Sequence, residues 1–316
     1  MTMPSDQPTP DQVFPAERFG ELLHQYDAAV AAKDFKEAET AVDAIFAAAS
    51  DLCDDHPTPE YMLSVFALGR MENADWLGAE LAYRRILSLP NLDASTEYKA
   101  RADLTGLFGL LNRHAGALAH ARRATEAARR DGCSILLAMA CGSEARVLIT
   151  CGRAGEADAV IAEGIAAICG DEMGNQMLAR LLILRAECEI ESDCLSAADS
   201  DLKTAFGLIE PLIPMTSAAG VQSDRGRFWA ATAKLRMKRN DYDGAVQSWQ
   251  EAVTISKSVA ALPQVETPYG LFMVAYMLKG LADALVACNR SADANAALSE
   301  RKSILRRAGL PDAGVA

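Results

Sequence analysis

The sequence predicts an all-α protein, a right-handed α-solenoid of about seven antiparallel helix pairs. Half of its 316 residues are apolar and only 6% are aromatic. Alanine is very frequent, which favours tightly packed helices because this residue costs no side-chain entropy and lets helix axes approach closely. Runs of β-branched residues with the period-two alternation of strands are nearly absent. A short polar turn followed by an alanine recurs along the chain, as in a repeat protein.

The recurring alanine divides the chain into seven repeats. We expect each such alanine to be buried, because the two helices of a pair cross there and only a small residue fits. The marker alanines of pairs one to seven are Ala38, Ala79, Ala117, Ala157, Ala197, Ala245 and Ala294, spaced 41, 38, 40, 40, 48 and 49 residues apart. Pair five fits poorly, and Ala198 is an alternative marker for it.

The polar turns contain residues that end one helix and begin the next. Asn, Asp and Gly stop a helix, whereas Asp and Ser cap the following one. We predict turns near 33–36, 73–77, 112–116, 152–155, 192–196, 240–243 and 289–292. Phe35, Trp76 and Tyr242 stand three residues before their markers, where we expect each ring to wedge between the two helices.

Apolar residues four and seven positions after the markers predict the buried stripe of each second helix. In four of the pairs these residues are Val42 and Ile45, Tyr83 and Ile86, Ala121 and Ala124, and Trp249 and Ala252.

The pattern resembles the tetratricopeptide repeat (TPR) family. That family places large, large, small and large residues sixteen, thirteen, twelve and nine positions before the marker. Pair seven has all four, as Leu278, Leu281, Ala282 and Leu285. The units here are longer than the family's roughly 34 residues, and pair one has Tyr26 where a small residue is expected, as an atypical terminal repeat would. The resemblance implies an interaction scaffold, an adaptor or a peptide-sensing regulator.

We expect one TPR-like domain over 17–309, between a flexible N-terminal leader, 1–16, and a C-terminal tail, 310–316. The first fifteen residues lack the basic start and apolar core of a secretory signal, and no run of eighteen apolar residues predicts a membrane span. The eight cysteines lie mostly in apolar helical stretches, so we interpret them as buried, reduced residues of a cytoplasmic protein.

The net charge of −12 disfavours binding to nucleic acids and to anionic membranes, because both are themselves negative. The sequence contains no phosphate-binding loop, nucleophile elbow or zinc-protease motif. Glu187, Glu189 and Glu191 alternate around a helix rather than converging. The four histidines lack the close paired spacing of zinc ligands. We therefore expect no enzyme activity, no cofactor and no metal.

Candidate binding residues lie on the first helix of each pair. We expect the positions eighteen, fifteen, eleven and eight residues before each marker to form one stripe, here called the inner stripe, on the concave wall of the solenoid. Its cations are Lys99, Arg146, Arg227, Lys234 and Lys279, and Tyr276 and Met237 share it. The acids on or near the stripe are Asp27, Asp283 and, in pair five, approximately Glu189. A chance clustering of cations is the alternative interpretation.

These residues predict a groove that binds a protein or peptide segment, and its cations favour an acidic one. The leading hypothesis is a scaffold or adaptor. One alternative is a regulatory sensor that changes its superhelical pitch when a peptide binds. A homo-oligomeric structural scaffold, joined through its terminal repeats, is the other.

Overall fold

A computed structural model of the chain describes residues 15–51, 59–169, 174–213, 219–262 and 267–312. Within these ranges every regular element is helical, which confirms the all-α prediction. The chain divides into two compact units, Met1–Leu92 and Asp93–Ala316. Most of the predicted leader, 1–16, lies outside the described residues, and its last two residues begin the first helix.

The described part of the first unit holds two helix pairs. Its helices are α1 Pro15–Ala31, α2 Phe35–Asp51, α3 Pro59–Glu72 and α4 Trp76–Leu87.

Five further pairs form the described part of the second unit. Its helices are α5 Ala94–Leu110, α6 His114–Asp131, α7 Ser134–Thr150, α8 Ala154–Ile168, α9 Asn175–Glu191, α10 Leu195–Ile209, α11 Ala219–Lys238, α12 Tyr242–Ala260, α13 Pro268–Ala287 and α14 Ser291–Arg307. A short 3-10 turn, Glu210–Leu212, follows α10. Within each unit, consecutive helices pack against each other as the predicted pairs.

All seven predicted turns lie between the two helices of a pair. Each turn contains one residue with a positive φ, and these residues are Lys33, Ala74, Asn112, Gly152, Asp193, Asn240 and Asn289. In pair six the Asn240 N–H donates to the Met237 carbonyl at 3.0 Å, and the Asp241 N–H donates to the Arg236 carbonyl at 2.9 Å. These two bonds define a Schellman motif, which the other six turns repeat.

The buried alanines confirm six markers and correct the seventh. Ala38, Ala79, Ala117, Ala157 and Ala245 are fully buried, and Ala294 is 2% exposed. In pair five, Ala197 is exposed whereas its neighbour Ala198 is fully buried. Ala198 is therefore the marker, and it stands five residues after the positive-φ residue, as the other markers do. The predicted apolar stripe of the second helices is also buried.

The predicted aromatic wedges are wrong for two of the three rings. Phe35 is 60% exposed and Tyr242 is 36% exposed. Both are the first residue of their helix. Trp76 is also the first residue of its helix and is half-buried. A side chain at this position points toward the preceding turn, where the rings of Phe35 and Tyr242 stay in solvent.

Tyr26 shows how the first unit accommodates a large residue at a position that usually requires a small one. Its side chain is fully buried, and its hydroxyl donates to Asp75 Oδ1 at 3.1 Å. Asp75 also accepts the Gly78 N–H at 3.1 Å as the cap of α4. A Cβ atom at Gly78 would lie 2.4 Å from the tyrosine oxygen, so glycine makes the space that this tyrosine occupies.

The seven described cysteines are free, and Cys53 lies outside the described residues. Cys141 and Cys188 are buried as predicted, but Cys151 and Cys169 are exposed and Cys288 is half-buried. The last three are C-cap residues of α7, α8 and α13, where the chain leaves the packed face of its helix.

Two features near the C-terminus bear on the expectations of no membrane span and of a C-terminal tail over 310–316. α13 is long and apolar enough to cross a membrane by length and composition alone, although half of that segment is buried inside the protein, as in the central helix of a bundle. The predicted tail begins at Leu310, yet this residue is buried and Asp312 accepts a 2.8 Å hydrogen bond from Arg301 of α14.

Candidate functional site

The first helices of the second unit form a layer of their own. α5 contacts α7, α7 contacts α9, α9 contacts α11 and α11 contacts α13, whereas the second helices contact one another less. Helices on the inner side of a curved stack lie closer together than those on the outer side. We call α5, α7, α9, α11 and α13 the inner layer.

The corrected marker of pair five changes which residues of α9 belong to the inner stripe. Counting from Ala198, the stripe holds Arg180 and Glu187 instead of Glu189. Glu189 lies near Asp201 of α10, and the pKa of its carboxyl is raised by burial and by the charge of that aspartate. The acid of pair five on the inner stripe is thus Glu187. Glu189, two residues later, points to roughly the opposite side of α9.

A buried aspartate links α9 to α11. The Asp224 side chain is fully buried. It accepts hydrogen bonds from Gln176 Nε2 and Arg180 Nε, each at 2.7 Å. A buried charge is stable only when it is paired and hydrogen-bonded. These two partners meet that requirement for Asp224.

A second ion pair joins the same two helices further along their lengths. Lys234 Nζ donates to Glu187 Oε1 at 2.7 Å and lies 5.6 Å from the centre of the Tyr276 ring. Burial alone would lower the pKa of Lys234, but the charge of Glu187 outweighs it and the pKa is raised. The pKa of Glu187 is lowered, because Lys234, with help from Arg146 and Arg227, outweighs the effect of burial.

Arg146 of α7 and Arg227 of α11 bring two like charges together. The charge of Arg227, followed by burial, lowers the pKa of Arg146. Arg227 Nη2 donates to the Tyr269 hydroxyl at 2.8 Å, and its Nη1 lies 3.7 Å from Asp224 Oδ1. Arg227 Nε is buried without a hydrogen-bond partner. The guanidinium of Arg146 forms no hydrogen bond or ion pair within the described ranges.

These groups make a local excess of positive charge in an acidic protein. We define the arginine cluster as Arg146, Arg180, Arg227, Lys234, Glu187 and Asp224. It contains four cations and two carboxylates. The pKa of the adjacent Tyr269 is lowered, first by Arg227 and then, against burial, by Arg146 and Arg180, as expected where positive charge is not fully balanced.

An apolar cleft adjoins the cluster between α9, α11 and α13. It encloses about 430 Å³. Apolar surface comes from Ile190, Met237, Trp249 and Tyr276 beside Gly280, and the charged rim consists of Glu191, Lys234, Lys238, Lys279 and Asp283. The edge of Trp249 packs against Tyr276, with ring centres 6.2 Å apart.

The structure groups six of the seven predicted site residues into these two neighbouring features. Lys234, Lys279, Tyr276 and Met237 line the cleft, and Arg146 and Arg227 belong to the cluster. Lys99 is exposed on α5 and makes no hydrogen bond or ion pair with either feature among the described residues.

The predicted row of free cations is partly wrong, because two of them are neutralised by carboxylates. Lys234 pairs with Glu187, and Lys279 pairs with Asp283 at 2.6 Å one turn along its own helix. Of the other three cations, Lys99 and Arg146 make no ion pair among the described residues, and Arg227 lies 3.7 Å from Asp224.

Sequence reasoning missed four residues: Arg180, Glu187, Asp224 and Tyr269. The one-residue error in the marker of pair five removed the first two from the stripe. Asp224 stands three residues before Arg227, and Tyr269 seven before Tyr276. Extending the inner stripe by two turns toward the N-terminus of each helix would have found both.

No group of three or more histidine, cysteine or acidic side chains suited to a metal occurs in the described ranges. The ring of His120 packs against Phe108 with centres 5.3 Å apart, and His56 lies outside the described residues.

The fold is similar to several solved structures. A Rap protein complexed with competence and sporulation factor matches 93% of this chain and 80% of its own, with 14% identity and a TM-score of 0.53. The apo form of RapI matches 78% of this chain and 99% of its own, with 12% identity and a TM-score of 0.53. A tetratricopeptide repeat protein from Parabacteroides merdae matches 83% of this chain and 99% of its own, with 12% identity and a TM-score of 0.41.

No protein-family model and no curated protein matches the sequence. The chain has the TPR-like, all-helical repeat fold that its marker alanines and turns predict.

Proposed function

We propose that the chain is a protein- or peptide-binding scaffold that holds an acidic segment of its partner against the inner layer of the second unit. One observation carries the proposal: the inner layer holds hydrogen-bond donors without partners among the described residues, namely the Arg146 guanidinium and the buried Arg227 Nε. The two arginines also repel each other, since the charge of Arg227 lowers the pKa of Arg146. A carboxylate placed between two guanidinium groups removes this repulsion and gains charge-assisted hydrogen bonds. The role proposed is binding rather than catalysis.

The charge of the rest of the molecule supports an acidic partner. The whole chain carries a net charge of −12, so an acidic segment is repelled by most of the surface and attracted by the arginine cluster. This contrast favours one binding position over non-specific association.

Binding of defined peptides tests the proposal. Fluorescently labelled ten-residue peptides rich in Asp and Glu are titrated with the protein and compared with analogues in which Asn and Gln replace the acids. We expect the acidic peptides to bind at least about tenfold more tightly than the analogues. Equal affinity for the two sets would contradict an acid-binding site.

A sensor is the second candidate, because the arginine cluster draws its residues from α7, α9 and α11 and lies beside Tyr269 of α13. A ligand there would change the forces between four successive repeats, which deform easily because each contacts only its neighbours. The similarity to the Rap protein complexed with competence and sporulation factor is consistent with this candidate. Small-angle scattering with and without a bound acidic peptide distinguishes the two: a sensor changes its radius of gyration, whereas a passive scaffold does not.

We also propose a cytoplasmic, reducing location, since the seven described cysteines are free and four are exposed. Fractionation of cells that express the protein, followed by thiol labelling, tests this location. Recovery of oxidised protein outside the cytoplasm would contradict it.

A further inference from the structure

Building on the proposed function, we infer that the ligand has two parts: a carboxylate for the arginine cluster and, three or four residues away along an extended chain, a large apolar side chain for the cleft. The arginine cluster and the cleft differ in chemistry and lie side by side on α9 and α11. The geometry of α11 gives the distance between them.

The carboxylate position has hydrogen-bond donors without partners. Arg227 Nε is buried and unpaired, and the guanidinium of Arg146 has no hydrogen bond among the described residues. The Tyr269 oxygen accepts a hydrogen bond from Arg227, so its own O–H is available to donate. Tyr269 is 41% exposed, so part of its side chain faces solvent.

The cleft suits an apolar group rather than a second acid. Its three lysines, Lys234, Lys238 and Lys279, are already paired with Glu187, Asp193 and Asp283, so another carboxylate would gain little there. Its wall includes Met237, Trp249 and Tyr276. Burial of a large aliphatic or aromatic side chain against these residues is favourable.

Gly280 keeps the tryptophan in place beneath the cleft. A Cβ atom at this position would lie 2.3 Å from Trp249 Cζ2, so only glycine lets the indole pack against the backbone of α13. Trp249 is 4% exposed and therefore forms the floor of the cleft.

The spacing follows from α11, which contributes to both features. Arg227 precedes Lys234 by seven residues and Met237 by ten. A helix rises 1.5 Å per residue, so the two features are roughly 10–15 Å apart. An extended peptide advances about 3.3 Å per residue and covers this distance in roughly three to four residues.

A spacing series tests the inference. Soluble ten-residue Gly/Ser peptides carry one Asp and one Leu separated by one to seven positions, in both orders, and isothermal titration calorimetry measures their binding to the full chain. We expect one order to bind best at a separation of three or four, by about tenfold over a separation of one or seven and over the peptide with Asp alone.

Different failures have different meanings. If acidic peptides bind with the same affinity at every spacing, the two-part ligand is wrong although the scaffold remains. If no acidic peptide binds, the proposed function itself is contradicted.

A variant pair tests the assignment of the cleft. Met237→Gln should remove the gain that Leu provides over the Asp-only peptide. Leu298→Gln, which replaces an exposed apolar residue of α14, should preserve the gain. A Met237→Gln protein that melts like the wild type and keeps the full Leu-dependent gain would overturn the assignment.

Discussion

At the scale of single residues, the arginine cluster combines groups that stabilise the fold with one that does not. Arg180 neutralises the buried Asp224, whereas Arg146 adds a positive charge beside Arg227. Residues kept for binding often cost stability, because a ligand supplies the missing partner. Stability measurements can therefore separate the two roles.

Substitution of the two arginines should have opposite consequences for stability. Arg146→Gln removes a repulsion, so we expect the melting temperature to stay the same or rise. Arg180→Gln weakens the pairing of a buried carboxylate, so we expect the protein to lose about 1–3 kcal/mol. Thermal and urea melts measure both effects. A marked loss of stability in Arg146→Gln would assign this residue a structural role.

Two adjacent alanines test the register of pair five. Ala198 is fully buried at the helix crossing, and Ala197 is exposed. Ala198→Leu should overpack the crossing and destabilise the protein by about 1–3 kcal/mol. Ala197→Leu makes the same chemical change on the surface and should alter stability by less than about 0.5 kcal/mol. Equal effects in urea melts would contradict the corrected marker.

At the scale of the elements, the seven turns determine where each helix pair reverses direction. Their positive φ values place a backbone strain on any residue that has a Cβ atom. Glycine adopts this conformation without strain, and asparagine does so more readily than most other residues. Gly152 and the nearby Gly155 allow the cost of this strain to be measured, because only the first has a positive φ and the second serves as the control.

Gly152 has a φ of +70°, whereas Gly155 lies in the first turn of α8 with open space around its would-be Cβ atom. Gly152→Ala should destabilise the protein by about 1 kcal/mol. Gly155→Ala should be neutral or stabilise it by up to about 1 kcal/mol, because alanine loses less backbone entropy. Urea melts of both variants check the signs, and a stabilised Gly152→Ala would contradict the left-handed turn.

The ion pair between α9 and α11 predicts a pH dependence. The pKa of Glu187 is below its ordinary value of 4.5 in the folded state, so the unfolded chain binds this proton more readily. The pair therefore stabilises the fold above the unfolded pKa, and this contribution is lost as the pH falls. We expect Glu187→Gln to show a shallower loss of stability than the wild type as the pH falls below about 5. Identical slopes would contradict the lowered pKa.

The sequence predicts helix pairs well because local signals are enough for them. A turn needs a residue such as Asn240 with a positive φ, and a crossing needs a small residue such as Ala245. The charged network was harder to predict, since Asp224 and Glu187 acquire their partners from neighbouring repeats of uneven length. A register error of one residue in pair five was sufficient to replace Glu187 with Glu189.

At the scale of the whole molecule, the sign and position of the charges favour an acidic partner that binds at one place. The net charge of −12 disfavours acidic partners in general, and the arginine cluster gives them one attractive position. Electrostatic attraction at a partly exposed site is screened by salt. We expect the affinity for an acidic peptide to fall steadily as sodium chloride is raised, and an affinity independent of salt would indicate that apolar contacts alone drive binding.

The most direct test of the central claim is the dissociation constant of an acidic ten-residue peptide for three proteins: the wild type, Arg146→Gln and Arg123→Gln. Arg123 is exposed on α6, a second helix, so its variant makes the same change in net charge away from the inner layer. We predict that Arg146→Gln weakens binding by about tenfold or more, whereas Arg123→Gln changes it by less than about twofold. Equal weakening by the two variants, or undiminished binding by a folded Arg146→Gln protein, would contradict an acid-binding site on the inner layer.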